Sequence, residues 1–354
     1  MRFLHLTLLY CLLSAFSSDP DLKYPPSSAA KNIESITFHP TTTNDFIPGA
    51  TNIIYQSKDG GQTWQDISYS LPINEEPEDF FAGESELYVR IQDVTYRSKS
   101  NLTTPVWEKV NVLPPNGSVA FNRSGVMAFN YDGQIYQETA SAGTWLPIYP
   151  NFRKHSMRTI FETSDGTVFL GYDGGLYKSA DKGNSWKQVQ NEGWVMHMVE
   201  SEGVLIATGQ RGIMRSTDNG DNWQWVISEG GVGIAIERIE GGIAAISCNT
   251  TTMSRRIHVS LDNGETWKAI DDGLRRSLFI SSIKQMGGFL ICGHPDGIFQ
   301  SSDMGKTWIM VHPPVDMNEF IFKTNNDPYN DRKKVFKIYV SGNIVYAVAG
   351  GAGC

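Results

Sequence analysis

Ser57-Lys-Asp59-Gly-Gly61-Gln-Thr63-Trp64 returns four more times along the chain. The later copies are Ser179-Ala-Asp181-Lys-Gly183-Asn-Ser185-Trp186, Ser216-Thr-Asp218-Asn-Gly220-Asp-Asn222-Trp223, Ser260-Leu-Asp262-Asn-Gly264-Glu-Thr266-Trp267 and Ser301-Ser-Asp303-Met-Gly305-Lys-Thr307-Trp308. Each follows a short apolar run, such as Gly175-Leu-Tyr177 or Gly297-Ile-Phe299, and the last leads into Trp308-Ile-Met-Val311. The pattern reads as strand, tight turn, strand. The spelling of the turn has a physical cause: a carboxylate accepts backbone N–H bonds inside its own turn, and the second glycine takes positive φ without a Cβ penalty. Hydroxyls secure what remains. The tryptophan supplies a wide apolar plate between one small sheet and the next. Asp59, Asp181, Asp218, Asp262 and Asp303, with Trp64, Trp186, Trp223, Trp267 and Trp308, are therefore read as structural.

Two further segments keep the frame and lose the turn: Val94-Thr-Tyr96-Arg-Ser98 leading to Trp107, and Gly133-Gln-Ile-Tyr136 leading to Gly143-Thr144-Trp145. With them, seven tryptophans recur at intervals of 37–44 residues, close to the roughly 40–45 residues of a four-stranded propeller blade. The chain is expected to be all-β: a closed seven-bladed β-propeller of four-stranded antiparallel blades. One clear strand, Glu34–Phe38, precedes the first turn, while Val335–Val340 and Asn343–Val348 have no turn after them. These last strands are expected to close the ring by pairing with Ile53-Ile54-Tyr55 and with Trp64–Ile67, removing the edges an open array would keep.

The repeated turn is identified as the Asp-box, or BNR repeat, and residues 50–350 resemble the propellers that carry it. Those include sialidases, xyloglucan-active glycoside hydrolases, sortilin-like receptors and photosystem II stability and assembly factor-like proteins. The resemblance implies the fold and leaves the chemistry open, because one fold hosts many functions. A sialidase-like reading requires an Arg-Ile-Pro-type segment ahead of the first turn and clamping arginines. The chain has no arginine between Arg2 and Arg90, and Val89-Arg90-Ile91-Gln92 lacks the proline and comes after that turn. A xyloglucanase-like reading requires two carboxylates facing each other across the ring. Glu75, Glu76, Glu78, Asp79, Asp271 and Asp272 are available on loops, where acidic residues are ordinarily just solvated.

The chain has 354 residues, 34 glycines and a formal net charge of −8. Met1-Arg2, the apolar stretch Phe3–Leu13 and Ser14-Ala15-Phe16-Ser17 read as a signal peptide over 1–18. Residues 19–50 then lead into a propeller over 51–354. The first apolar stretch is short for a bilayer span and later ones are interrupted, so no membrane span is expected. The expected location is secreted or periplasmic. The acidic balance speaks against nucleic acid. Of four cysteines, Cys11 leaves with the signal. The odd remainder argues against a disulfide framework, and Cys248 and Cys292 read as small buried thiols. Asn101, Asn116, Asn122 and Asn249 head glycosylation sequons that matter only in a eukaryotic host.

In an up-and-down blade, links between blades and links between second and third strands share the face opposite the repeated turns. That face is expected to collect Arg153, Lys154, His155 and Arg158, then Trp194 and His197, then Arg275 and Arg276, joined by Arg211, Arg255, Arg256 and His294. The ligand-binding candidates are Arg153, His155, Arg158, Trp194, Arg211, Arg275 and Arg276. Guanidinium groups there could hold carboxylates, sulfates or phosphates. The other reading is that these arginines balance Glu192, Glu229, Glu237 and Glu240. His155, His197 and His294 lack ligand spacing, so neither a metal nor a cofactor is expected. The expectation is a non-catalytic binding or assembly platform for an anionic glycan or an acidic protein surface; the alternative is a glycoside hydrolase.

Overall fold

The computed structural model describes residues 52–72, 75–100, 102–110, 117–139, 144–150, 152, 156–228, 231–315 and 334–351. The signal peptide, the 19–50 lead-in with its strand at Glu34–Phe38, Arg153, Lys154, His155, Gly143, Asn101, Asn116, Glu229, Cys11 and Cys354 lie outside these residues.

Among the described residues, twenty-eight strands form seven four-stranded antiparallel sheets. The chain enters through β1 (Ile54–Ser57) and β2 (Gln65–Asp66). Blade 2 follows as β3 (Pro77–Ala82), β4 (Glu86–Ile91), β5 (Val94–Lys99) and β6 (Glu108–Val110). Blade 3 is β7 (Ser118–Asn122), β8 (Gly125–Phe129), β9 (Ile135–Glu138) and β10 (Trp145–Pro147). Blade 4 is β11 (Met157–Glu162), β12 (Val168–Tyr172), β13 (Gly175–Ser179) and β14 (Lys187–Gln190). Blade 5 is β15 (Val195–Ser201), β16 (Val204–Gly209), β17 (Gly212–Ser216) and β18 (Gln224–Ile227). Blade 6 is β19 (Gly231–Ile239), β20 (Gly242–Asn249), β21 (Ser254–Ser260) and β22 (Lys268–Ala269). Blade 7 is β23 (Ser282–Met286), β24 (Phe289–His294), β25 (Gly297–Ser301) and β26 (Ile309–His312). The chain returns as β27 (Lys334–Ser341) and β28 (Ile344–Gly351), which complete blade 1 in the order β2-β1-β28-β27.

First strands of successive blades touch in cyclic order, including β23 to β27 and β27 to β3, so they surround a central channel. In blade 1, Ile54 pairs with Val348 and Ser57 with Val345. The sequence reading placed a second contact of the C-terminal strands at Trp64–Ile67. That part is corrected: β2 pairs with β1, because the tight turn between them returns the chain onto its own third strand.

The core lies between blades. One cluster joins Ile54 and Tyr346 of blade 1 to Leu87 and Val89 of blade 2; another joins Ile246 and Ile257 of blade 6 to Leu290 and Cys292 of blade 7. A sheet packed on both faces explains the second strands, such as Leu205-Ile-Ala207, which read as continuous apolar runs. Outer strands such as β14 and β26 are short and largely exposed. Trp107 and Trp145, which keep the frame where the turn is lost, are 5% and 7% exposed.

Each repeated turn is built the same way. The serine hydroxyl accepts the N–H of the second glycine and donates to the aspartate: in the third copy Gly220 N–H reaches Ser216 Oγ at 2.9 Å, and Ser216 reaches Asp218 Oδ1 at 2.8 Å. Asp218 then accepts the Asn222 N–H at 2.9 Å and its side-chain amide at 2.7 Å. Asn219 and Gly220 both hold positive φ, 57° and 78°. The Trp223 indole donates to Gly220 O at 3.1 Å. The same face is stitched across blades, with Asn219 donating to Asp165 at 2.9 Å and Asn263 to Glu202 at 2.8 Å.

Candidate functional site

Both oxygens of each repeated aspartate are occupied within its own turn, and those bonds favour the charged form. The Ser185 hydroxyl and amide hold Asp181 down to about 2, and the Asn222 side chain and amide do the same for Asp218. The Thr307 amide and hydroxyl hold Asp303 at about 2, and Ser260 and Thr266 lower Asp262. At Asp59 burial pulls upward, but Thr63 and Ser57 prevail and the pKa is lowered. A carboxylate so occupied is no general acid or base near neutral pH.

The opposite face carries the candidate arginines, and most already hold a carboxylate. Arg158 sits at a bulge in β11, where the register shifts between Met157 and Thr159. Its Nε donates to Asp173, which also accepts the Tyr131 hydroxyl at 3.0 Å, and its guanidinium lies 5.7 Å from the Trp194 ring. Arg211 donates to Glu192 at 2.6 Å and lies 5.7 Å from Trp225, whose indole N–H reaches the same carboxylate at 2.7 Å. Arg275 donates through two nitrogens to Asp296, once at 2.7 Å. Arg256 spans both oxygens of Asp271, at 2.8 and 3.0 Å, and reaches Asp272 at 2.8 Å. Arg255 is buried and donates to Ile280 O at 2.8 Å, bracing the link into blade 7.

The reading in which these arginines balance nearby acids therefore holds for Arg211 and Glu192, while Glu237 pairs with Lys284. A guanidinium holding a carboxylate of its own blade has little left for a ligand. Arg276 differs: it is exposed, and no described residue forms an ion pair or hydrogen bond with it.

The histidines are also distributed. His294 is 1% exposed; its Nδ1 accepts the Asp296 N–H at 3.1 Å, which leaves Nε2–H to donate to Arg275 O at 2.8 Å. It is a brace beneath the Arg275–Asp296 pair. His197 stands on β15 in blade 5 and is exposed.

Arg276 lines a cleft of about 700 Å³ between blades 5 and 6. One wall is Val226-Ile227-Ser228; the other carries Asn249, Thr252, His258 and Trp267. His258 Nε2 lies 3.0 Å from Ser247 Oγ. Cys248 lines this cleft half-buried, which corrects the expectation of a buried thiol. Both cysteines stand on second strands, but Cys248 lies at the end of β20 where the cleft opens, whereas Cys292 is fully enclosed between blades 6 and 7. Trp267 ends a repeated turn and His258 stands on β21, both treated as scaffold by the sequence analysis. The signal that could have found them is their position in the outer half of blade 6.

No protein-family model matches the chain, and no curated protein matches it. Solved structures do. YCF48 from Cyanidioschyzon merolae superposes with a TM-score of 0.54 at 14% identity, covering 80% of this chain and 95% of that one. The GH74 xyloglucanase from Xanthomonas campestris gives 0.55 at 13%, covering 67% of this chain and 47% of that one. The extracellular domain of BT4673 from B. thetaiotaomicron gives 0.53 at 10%, covering 74% and 43%. The chain thus spans under half the length of two of these three proteins. At such identities the likeness shows the fold alone.

Proposed function

We propose that the chain is an exported, non-catalytic binding platform that takes an anionic glycan in the cleft between blades 5 and 6. Arg276 carries this reading: it is the candidate arginine whose guanidinium no described residue engages, and it lines one cleft together with Trp267 and several hydroxyl, amide and imidazole groups. That combination suits a sugar ring, which offers an apolar face to tryptophan, hydroxyls to polar side chains and an acidic group to arginine. Export rests on the signal-like residues 1–18; the extracellular domain among the structural neighbours is in keeping with it.

A hydrolase needs two separated carboxylates flanking the substrate. Asp271 and Asp272 both converge on Arg256, and Glu265 is the carboxylate among the residues lining the cleft. The assay is binding of the purified protein to immobilised sialylated, sulfated and uronic acid glycans, with neutral counterparts, at low and physiological salt. Anionic glycans should bind and be released by salt. Arg276→Glu should weaken binding at least about tenfold, a 1.4 kcal/mol change, without moving the melting temperature, because exposed charges contribute little to stability. Equal binding by Arg276→Glu would refute the site. Binding to acidic proteins alone would transfer the cleft to a protein partner, and glycan cleavage would restore the hydrolase reading.

A further inference from the structure

Two of the glycosylation sequons, Asn122-Arg-Ser124 and Asn249-Thr-Thr251, lie among the described residues, and the fold treats them in opposite ways. Asn122 is 6% exposed at the end of β7. Its Oδ1 accepts the Glu162 N–H at 3.0 Å, tying blade 3 to blade 4, and its Nδ2 stands 3.6 Å from Sδ of the buried Met127. A sugar on that nitrogen would have to displace the core.

Asn249 closes β20 where the chain turns into β21, and it pairs with Ser254 across the turn. Thr250, Thr251, Thr252 and Met253 between them are all exposed. The Asn249 Oδ1 accepts the N–H of Thr251 and of Thr252, each at 2.9 Å, so the side chain holds its own turn. With the oxygen turned inward, the amide nitrogen is the branch that leaves the turn. Asn249 is half-buried and lines the cleft of about 700 Å³ between blades 5 and 6, together with Cys248, Thr252, Trp267 and Arg276. Clefts of about 300–1,000 Å³ suit a small molecule, and a branched oligosaccharide anchored in the lining overfills this one.

We propose that Asn249 is an N-glycosylation site whose glycan covers the cleft, so that the modification sets whether the cleft is open to other ligands. In the transfer, Asn249 Nδ2 forms a bond to the anomeric carbon of an oligosaccharide carried on a lipid pyrophosphate. The bond from that carbon to the pyrophosphate oxygen breaks, the lipid pyrophosphate leaves with the electron pair, and one amide proton passes to a base of the transferring enzyme. The fold accommodates the product on the exposed turn at Asn249 and excludes it at Asn122. The site stands on the turn and the cleft; only its effect on ligands rests on the glycan-binding reading of Arg276.

The test is secretion of the whole chain from a eukaryotic cell, beside the variant Thr251→Ala, which removes the acceptor sequence and keeps both Asn249 and the backbone N–H groups that its side chain holds. Peptide mass spectrometry should find glycan at Asn249 and none at Asn122 in the folded parent. Thr251→Ala should lack that glycan and melt as the enzymatically deglycosylated parent does. Iodoacetamide should alkylate Cys248 severalfold faster in Thr251→Ala, and in deglycosylated parent, than in glycosylated parent, because the thiol lines the covered cleft. Binding to sialylated, sulfated and uronic acid glycans should follow the same order. If Thr251→Ala binds none of these glycans while the mass and alkylation results hold, the reading of Arg276 falls and the covered site at Asn249 stands. The proposal is overturned if Asn249 leaves the cell unmodified, if folded protein carries glycan at Asn122, or if Cys248 is alkylated equally fast with and without the glycan.

Discussion

Gly220 and Gly166 offer a paired measurement of how tightly the repeated turns are pressed against neighbouring blades. Both hold positive φ, 78° and 85°, so alanine at either meets the same backbone penalty, about 1–2 kcal/mol for an L-residue in the left-handed region. Loss of glycine's freedom in the unfolded chain returns about 0.4–1 kcal/mol. The surroundings differ. A Cβ at Gly166 meets nothing within 4 Å, whereas one at Gly220 stands 2.4 Å from Phe169 Cζ and 2.6 Å from its Cε1. Phe169 is fully buried in the cluster between blades 4 and 5 and cannot swing away. Overpacking of this kind costs about 1–3 kcal/mol. Gly166→Ala should therefore cost about 1 kcal/mol and Gly220→Ala about 2–4 kcal/mol in total. Each kcal/mol moves the melting temperature by about 2–4 °C in a domain of about 150–250 residues, and by less in a larger one. Calorimetric or tryptophan-fluorescence melts of both variants read the difference. Equal midpoints would show that the third turn does not bear on Phe169, and the account of inter-blade packing would fall.

Acid should weaken the fold in two stages. The His197 and His312 pKa values are both lowered from an ordinary 6.5, chiefly by burial, so the unfolded chain takes up these protons first and stability declines as pH falls below about 6.5. Asp181, Asp218 and Asp303 sit near 2 against an ordinary 3.8; their contribution is whole above about pH 4 and is lost as pH falls toward 2. Asp218→Asn should shrink the second stage alone in melts from pH 7 to 2.5, and an unchanged profile would contradict the role of the turn. Iodoacetamide at pH 8 should alkylate Cys248 in the native protein and Cys292 only after unfolding, because burial, with Asp271 nearby, raises the Cys292 thiol; peptide mass spectrometry reads both. Labelling of native Cys292 at a comparable rate would refute that enclosure.

The blade count was legible because the turn is local chemistry: Ser216, Asp218, Gly220 and Asn222 answer one another within a few residues, and Trp223 reports the packing they allow. The pairing of Ile54 with Val348 was legible from unmatched strands at the chain's end. The face opposite the turns was legible in composition and not in pairing. Arg275 lies far enough along the chain from Asp296, and Arg158 from Asp173, that spacing alone gives no sign they meet. The cleft depended on how far the edges of blades 5 and 6 diverge, a tertiary quantity with no local signal.

Blade 1 alone draws strands from both ends of the described chain, and this imposes an order in time. Blades 2 to 7 are each contiguous and can form as they are synthesised, with local hairpins first. Blade 1 waits until β27 and β28 exist, so β1 keeps an unpaired edge until then, the kind of surface that recruits other strands. The last contacts to form are thus the ones that seal the ring, and a chain interrupted before Lys334 would leave an open, edge-exposed array. The pairing of β1 with β28 works as a completion signal for the ring: it reports, in backbone hydrogen bonds, that the blades between them are in place.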